Sequence, residues 1–184
     1  IFACKFEENE ADILVDKMSL LALKERSRVE RYRQTKDMCL SFIGLAMIHA
    51  FCECFTDYSE TVNIVDIDDL FGNPEIFNRN LISFNEEGKP YFDDKNKTFF
   101  NISHSEDWCF VAFSNSEVGI DVQKIKKLNG NVAQRFFNEK DNEYINEDDA
   151  LSLERTIEVW CIKESYVKML LCLFFLLIFV FVQY

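Results

Sequence analysis

The stretch Phe100-NISHSEDWCFVAFSNSEVGID-VQKI, ending at Ile125, decides the class of fold. Read with Phe99, it divides into FFNISHS, WCFVAFS and VGIDVQKI, three runs with strand-like alternation. Short polar turns join them, Glu106-Asp107 and Asn115-Ser116-Glu117. Alternation sends Ser103 and His104 to opposite faces of their strand. A serine nucleophile cannot then meet the adjacent histidine as its base, and a Ser-His triad reading is poor. On the third run Asp121 and Gln123 share a face, and a carboxylate and an amide oxygen two residues apart are hard donors suited to Mg²⁺.

The pattern changes on both sides of this stretch. Upstream, LISFNEEGKPYF from Leu81 to Phe92 reads as a strand, a Glu-Gly-Lys-Pro turn and a second extended piece. Ala11 to Leu23 has helical spacing. Glu25 to Phe55 reads as one long helix, polar and basic at first (Arg26, Arg28, Arg31, Arg33, Lys36) and apolar later, entering a core. Residues 57–80 are loop-like or mixed. Asp66, Asp68 and Asp69 lack the spacing of a calcium loop and read as a solvated acidic turn. Downstream, VAQRFFNEKDNEYI and SLERTIEVWCIKESYVKM are helical. The class is α+β.

Helical spacing in WCIKESYVKM lines up Trp160, Glu164 and Lys168 at i, i+4 and i+8, beside Lys163. A Glu four residues before a Lys is an ordinary helix ion pair worth about 0.2–0.5 kcal/mol. This helix is otherwise apolar, however, and a carboxylate on a largely buried helix needs a cation or a metal to offset desolvation. Asp121 and Glu164 brought together would form a two-carboxylate magnesium site with Gln123, of the kind that also grips substrate phosphates.

Composition narrows the partners. The 184 residues, 48% hydrophobic and 15% aromatic, can bury a substantial core. A net charge of -12 argues against nucleic-acid binding, and an anionic ligand must meet local cations such as Lys89 and the Arg-rich segment. Seven irregularly spaced cysteines, with no secretory signal ahead of them, read as reduced thiols in a cytoplasmic protein. With two histidines in the chain, buried free cysteines are a better reading than a zinc site. The chain begins at Ile1 without an initiator Met, as a fragment or processed start would. Residues 170–184 are apolar; a run of about 20 Å from Leu170 to Val182 is short of a bilayer core of about 30 Å. A buried element or a divergent chain end is favoured there over membrane insertion.

FNISHS, VGIDVQKI, RFFNEKDNEYI and WCIKESYVKM, in this order, resemble the 4'-phosphopantetheinyl transferase superfamily, the type that activates surfactin synthetase and similar synthases. GID together with W..KE is the specific combination. EEGKPYF and KERSRVERYRQTKD...FIG match more loosely, and the resemblance spans Glu25 to Met169. It implies two similar α/β lobes with pseudo-twofold symmetry. Residues 1–116 would form the N-terminal lobe and 117–169 a C-terminal lobe with the metal and catalytic motifs, incomplete because the apolar tail 170–184 stands where further strands are expected.

The implied activity is Mg²⁺-dependent transfer of the phosphopantetheine arm of coenzyme A to a serine of an acyl or peptidyl carrier protein, releasing adenosine 3',5'-bisphosphate. This is a holo-[acyl-carrier-protein] synthase type of reaction, carried out by a monomer. By motif position Asp121, Gln123 and Glu164 would hold the metal, with Gln123 where many members have an acid. Arg28, Ser41, Lys89, Ser103, His104 and Lys168 would bind coenzyme A, and Glu164, Lys168 and Asp121 would serve catalysis. Leu40 and His49 stand where arginines are usual, which implies a thinner phosphate grip. Two other readings stay open: a non-catalytic coenzyme A- or carrier-binding remnant, and a tail-anchored interaction protein.

Overall fold

The computed structural model describes residues 1–51, 62–78, 82–85, 88–92, 98–128 and 132–170. The chain starts with β1 (Phe2–Lys5), followed by α1 (Ala11–Lys17) with a 3₁₀ turn at Met18–Leu20, α2 (Leu23–Val29) and α3 (Thr35–Phe51). Next come β2 (Asn63–Val65), α4 (Ile67–Leu70), a 3₁₀ turn at Pro74–Asn78, β3 (Ile82–Phe84), β4 (Pro90–Phe92), β5 (Phe99–Ser105) and β6 (Trp108–Ser114). The described chain ends with α5 (Val132–Phe136), α6 (Glu139–Asn146) and α7 (Ser152–Leu170). The class is α+β, as the sequence pattern indicates.

Four strands form a sheet in the order β2-β1-β6-β5, in which only β1 and β2 run parallel, and β3 pairs with β4 in a separate hairpin. The register of β5 on β6 sets His104 opposite Cys109 and Ile102 opposite Val111, so the even residues of β5 share a face with the odd residues of β6. That face packs on α3. Gly44 of α3 sits so close that an added Cβ would lie 2.9 Å from Ile102 and 3.2 Å from Cys109. α3 is buried almost all round from Cys39 to His49, which explains its lack of an amphipathic stripe. A smaller core, centred on Phe137, Ile145 and Val159 with Trp160 against it, joins α5, α6 and α7.

The structure departs from the sequence reading at several elements. The long helix foreseen over 25–55 is two helices within the described residues, α2 stopping at Val29 and α3 running from Thr35 to Phe51, and residues 52–55 lie outside them. Nothing in ERYRQ forbids helix. In the break Tyr32 packs against His104, the two rings at 73° with centroids 6.4 Å apart. The helix foreseen over VAQRFFNEKDNEYI is likewise divided, since Asn138 takes extended backbone and caps α6, accepting from the Asp141 amide at 3.0 Å. The acidic turn near Asp66 includes the short helix α4, which buries Ile67 and Leu70. β1 and β2 were not foreseen. The tail beyond Leu170 lies outside the described residues, and no described helix is long and apolar enough to cross a membrane.

Candidate functional site

The third run of the opening stretch is not a ladder strand. Residues 117–124 take no regular secondary structure, yet they follow β5 with strand-like alternation. The link is made by side chains. Asn101 Oδ1 accepts from the Ile120 amide at 3.0 Å, Ser103 Oγ from Val122 at 3.2 Å and Ser105 Oγ from Lys124 at 3.1 Å. Three polar side chains on one face of β5 thus hold every second amide of the segment. The hairpin tip helps: Glu106, at φ 54°, lies 3.5 Å from Lys124 and 3.7 Å from Lys126.

This arrangement carries Asp121 into the interior, with only 3% of its side chain exposed. Lys168 Nζ reaches across from α7 and donates to Asp121 Oδ1 at 2.5 Å, to Ser103 Oγ at 3.1 Å and to the Ile120 carbonyl at 3.2 Å. Ser103 Oγ also donates to Asp121 Oδ1 at 3.1 Å, and Gln123 Nε2 donates to Oδ2 at 3.2 Å. A buried carboxylate with this many donors is satisfied. Gly119 permits the approach, for a Cβ there would lie 1.8 Å from the Ser165 carbonyl oxygen of α7.

Glu164 lies one turn before Lys168. Burial pushes its carboxyl above the ordinary range, the negative charge of Asp121 adds to the rise, and Lys168 opposes it. The charge of Asp121 therefore reaches Glu164: residues 43 positions apart in sequence share one electrostatic neighbourhood. Burial and the same aspartate push the Cys161 thiol up to about 11, so this neighbour of the acids stays protonated at neutral pH.

His104 points the other way, as alternation requires. With Arg28, Tyr32, Ser41 and Lys89 it lines a cavity of about 160 Å³ between α2, α3 and β5. Arg28 is steadied by the face of Phe84, 5.1 Å from the ring centroid. Burial lowers the His104 pKa despite Asp37, leaving a neutral imidazole that can donate one hydrogen bond but brings no full charge. Lys89 spans the two regions: it lines the cavity while its Nζ donates to the Lys168 carbonyl at 3.0 Å.

The residues singled out from sequence thus fall into two adjoining groups. Arg28, Ser41, Lys89 and His104 share the cavity, and Asp121, Gln123, Glu164, Lys168 and Ser103 gather on the far side of β5. Ser103 does not line the cavity with His104. Leu40 and His49 do not line it either: both are buried, and His49 Nε2 lies 3.0 Å from Glu25 Oε1. Sequence reasoning missed Tyr32 in the cavity and Asn101 and Ser105 as tethers. The alternation of Asn101, Ser103 and Ser105 was the visible signal for the last two.

The donor set suits a hard divalent cation. Two carboxyl groups and an amide are oxygen donors that leave coordination positions for water and phosphate. Among the described residues no three His, Cys, Asp or Glu side chains form a metal cluster, so a metal here would rest on two acids.

Comparison with known proteins gives the same direction. The family model for the 4'-phosphopantetheinyl transferase superfamily matches residues 117–181, running past Met169, the end of the motif resemblance. The 4'-phosphopantetheinyl transferase gsp of Aneurinibacillus migulanus is 34% identical over 141 residues, 75% of this chain and 51% of that protein. The transferase ffp of Bacillus subtilis is 28% identical over 157 residues, 82% of this chain and 60% of its own length. Sfp of Bacillus subtilis strain 168 is 34% identical over 87 residues, 47% of this chain and 39% of that protein. The chain spans about half the length of the curated relatives it matches. From the matched motifs and these relatives, the chain belongs to the 4'-phosphopantetheinyl transferase superfamily.

Proposed function

We propose that the protein transfers the 4'-phosphopantetheine arm of coenzyme A to a serine of an acyl or peptidyl carrier protein, with Mg²⁺, releasing adenosine 3',5'-bisphosphate. The observation that carries this reading is the adjacency of a phosphate-sized basic cavity to the Asp121, Glu164 and Lys168 cluster, with Lys89 touching both. Arg28, Ser41 and His104 would take one phosphate of coenzyme A in the cavity. Lys89 and Lys168 would face the diphosphate linkage. The metal would be held by Asp121 and Glu164, with Gln123 beside them, and would supply charge neutralisation at the diphosphate.

The chain's own groups then do the rest. Lys168 is held among Asp121, Ser103 and the Ile120 carbonyl, its three N–H donors committed, so its ammonium is fixed before any substrate arrives and acts on growing negative charge through its own positive charge. Glu164 is the acid positioned to accept the proton of the attacking serine, directly or through a water. Its raised pKa brings it nearer the range in which a general base works well. His104, neutral, donates a hydrogen bond to phosphate. In this reading residues 1–116 and 117–169 are two lobes related by pseudo-twofold symmetry with the ligand between them, and the protein acts as a cytoplasmic monomer.

The test is incubation with coenzyme A, Mg²⁺ and a panel of apo carrier proteins, read by intact mass. A gain of one phosphopantetheinyl group that disappears with chelator is expected. Binding of coenzyme A with no mass gain on any carrier would replace transfer with a coenzyme A-binding role.

A further inference from the structure

α2 has a burial pattern that its packing alone does not call for. Of its seven residues two are buried, Glu25 and Val29, one turn apart on the face toward α3. Val29 is an ordinary core residue. Glu25 is a carboxylate at 1% exposure in an apolar cluster, and it lies 3.0 Å from Nε2 of His49, also at 1%. Its other oxygen accepts from the Ala22 amide at 3.2 Å, where α2 has no side-chain cap from Ala22 itself. The ring of His49 is held in turn by Phe77, 5.1 Å away.

One oxygen ties the carboxylate to the start of its own helix and the other ties it to α3, so the pair fixes what a methylene contact leaves loose, the rotation of a short helix about its own axis. Arg28 and Tyr32 follow Glu25 by three and seven residues and form one wall of the cavity. Ser41 and Leu45, eight and four residues before His49 on α3, form the facing wall. At about 5–6 Å from the helix axis, a rotation of roughly 20° displaces a side chain by about 2 Å, more than a hydrogen bond tolerates.

We propose that the buried Glu25–His49 pair is a positioning clamp for the ligand cavity, setting the rotation of α2 on α3 and thereby the placement of Arg28 opposite Ser41 and His104. The proposal rests on the coenzyme A reading for the ligand but not for the clamp itself. Replacing a buried polar pair by apolar residues of similar size often preserves stability, which separates positioning from mere support.

The experiment compares wild type, E25M/H49L and E25Q for melting temperature, for affinity toward adenosine 3',5'-bisphosphate by calorimetry, and for amide exchange without ligand. The expected result is at least tenfold weaker binding in E25M/H49L and about threefold weaker in E25Q, at a melting temperature near that of wild type. Faster exchange confined to α2 is expected alongside. A folded variant of either kind that binds as tightly as wild type, or whose α2 amides exchange as slowly, overturns the clamp. Should E25M/H49L fail to fold, E25Q alone decides on the same two measurements. If wild type itself does not bind the bisphosphate, the coenzyme A reading falls and α2 exchange still judges the clamp.

Discussion

Replacing Gly119 by alanine tests the crossing on which the acid cluster depends. A Cβ at this position would stand 1.8 Å from the Ser165 carbonyl oxygen and 2.8 Å from the Met169 amide nitrogen, both main-chain atoms of α7. Neither can rotate away. To restore a contact of 3.0 Å the segment and the helix must part by about 1.2 Å, the difference between the two distances. The Lys168–Asp121 bond, at 2.5 Å, would then stretch to roughly 3.7 Å, beyond hydrogen-bond reach. Overpacking of this kind costs about 1–3 kcal/mol, and a shift near 1 Å among reacting groups costs on the order of 10²-fold in rate. G72A is the control, since a Cβ there meets only carbonyl oxygens at 3.8 and 3.9 Å. Urea unfolding gives the stability change, and time-resolved intact mass of an apo carrier gives the rate. A G119A protein that unfolds and transfers like wild type would refute the argument.

Glu164→Gln should lower transfer by about 10²- to 10⁴-fold while calorimetry shows coenzyme A still bound, as expected when the proposed proton acceptor and metal ligand is lost but the cavity is kept. His104 has a folded pKa below its ordinary 6.5, so the unfolded chain takes up the proton first as pH falls. The contribution of this residue is complete above about 6.5 and is lost as the solution is acidified through that value; urea midpoints at pH 7.5 and 5.5 should therefore differ less in His104→Gln than in wild type. Asn138→Ala removes the acceptor of the Asp141 amide and should cost about 1 kcal/mol in urea unfolding, whereas Asn138→Gly should cost only a few tenths.

What could be read from sequence was whatever depended on local pattern. Alternation located β5 and β6, and it placed Ser103 and His104 on opposite faces, which the two separate surroundings of these residues bear out. The 3.6-residue period located α7 and its Glu164–Lys168 stripe. Alternation also suggested a strand through Asp121, and there it misled. The pattern is real, but the partners of the segment are side-chain oxygens of β5 rather than a backbone ladder. Periodicity reports which way side chains point and says nothing of what the amides bond to. β1 stayed hidden because four residues at the chain start carry too little pattern, although pairing with both β2 and β6 places it inside the sheet. The partner of Glu25 was equally illegible, since 24 residues separate it from His49 and only the packing of two helices joins them.

The way Asp121 is suspended from β5 has an evolutionary corollary. In an ordinary ladder, the gap between two chains is dictated by peptide geometry and cannot be adjusted one residue at a time. Here the gap is spanned by a hydroxymethyl group at 103 and a carboxamide at 101, so a single codon change could lengthen or shorten the span locally. An acid hung in this fashion can be re-aimed while the supporting architecture is inherited unchanged.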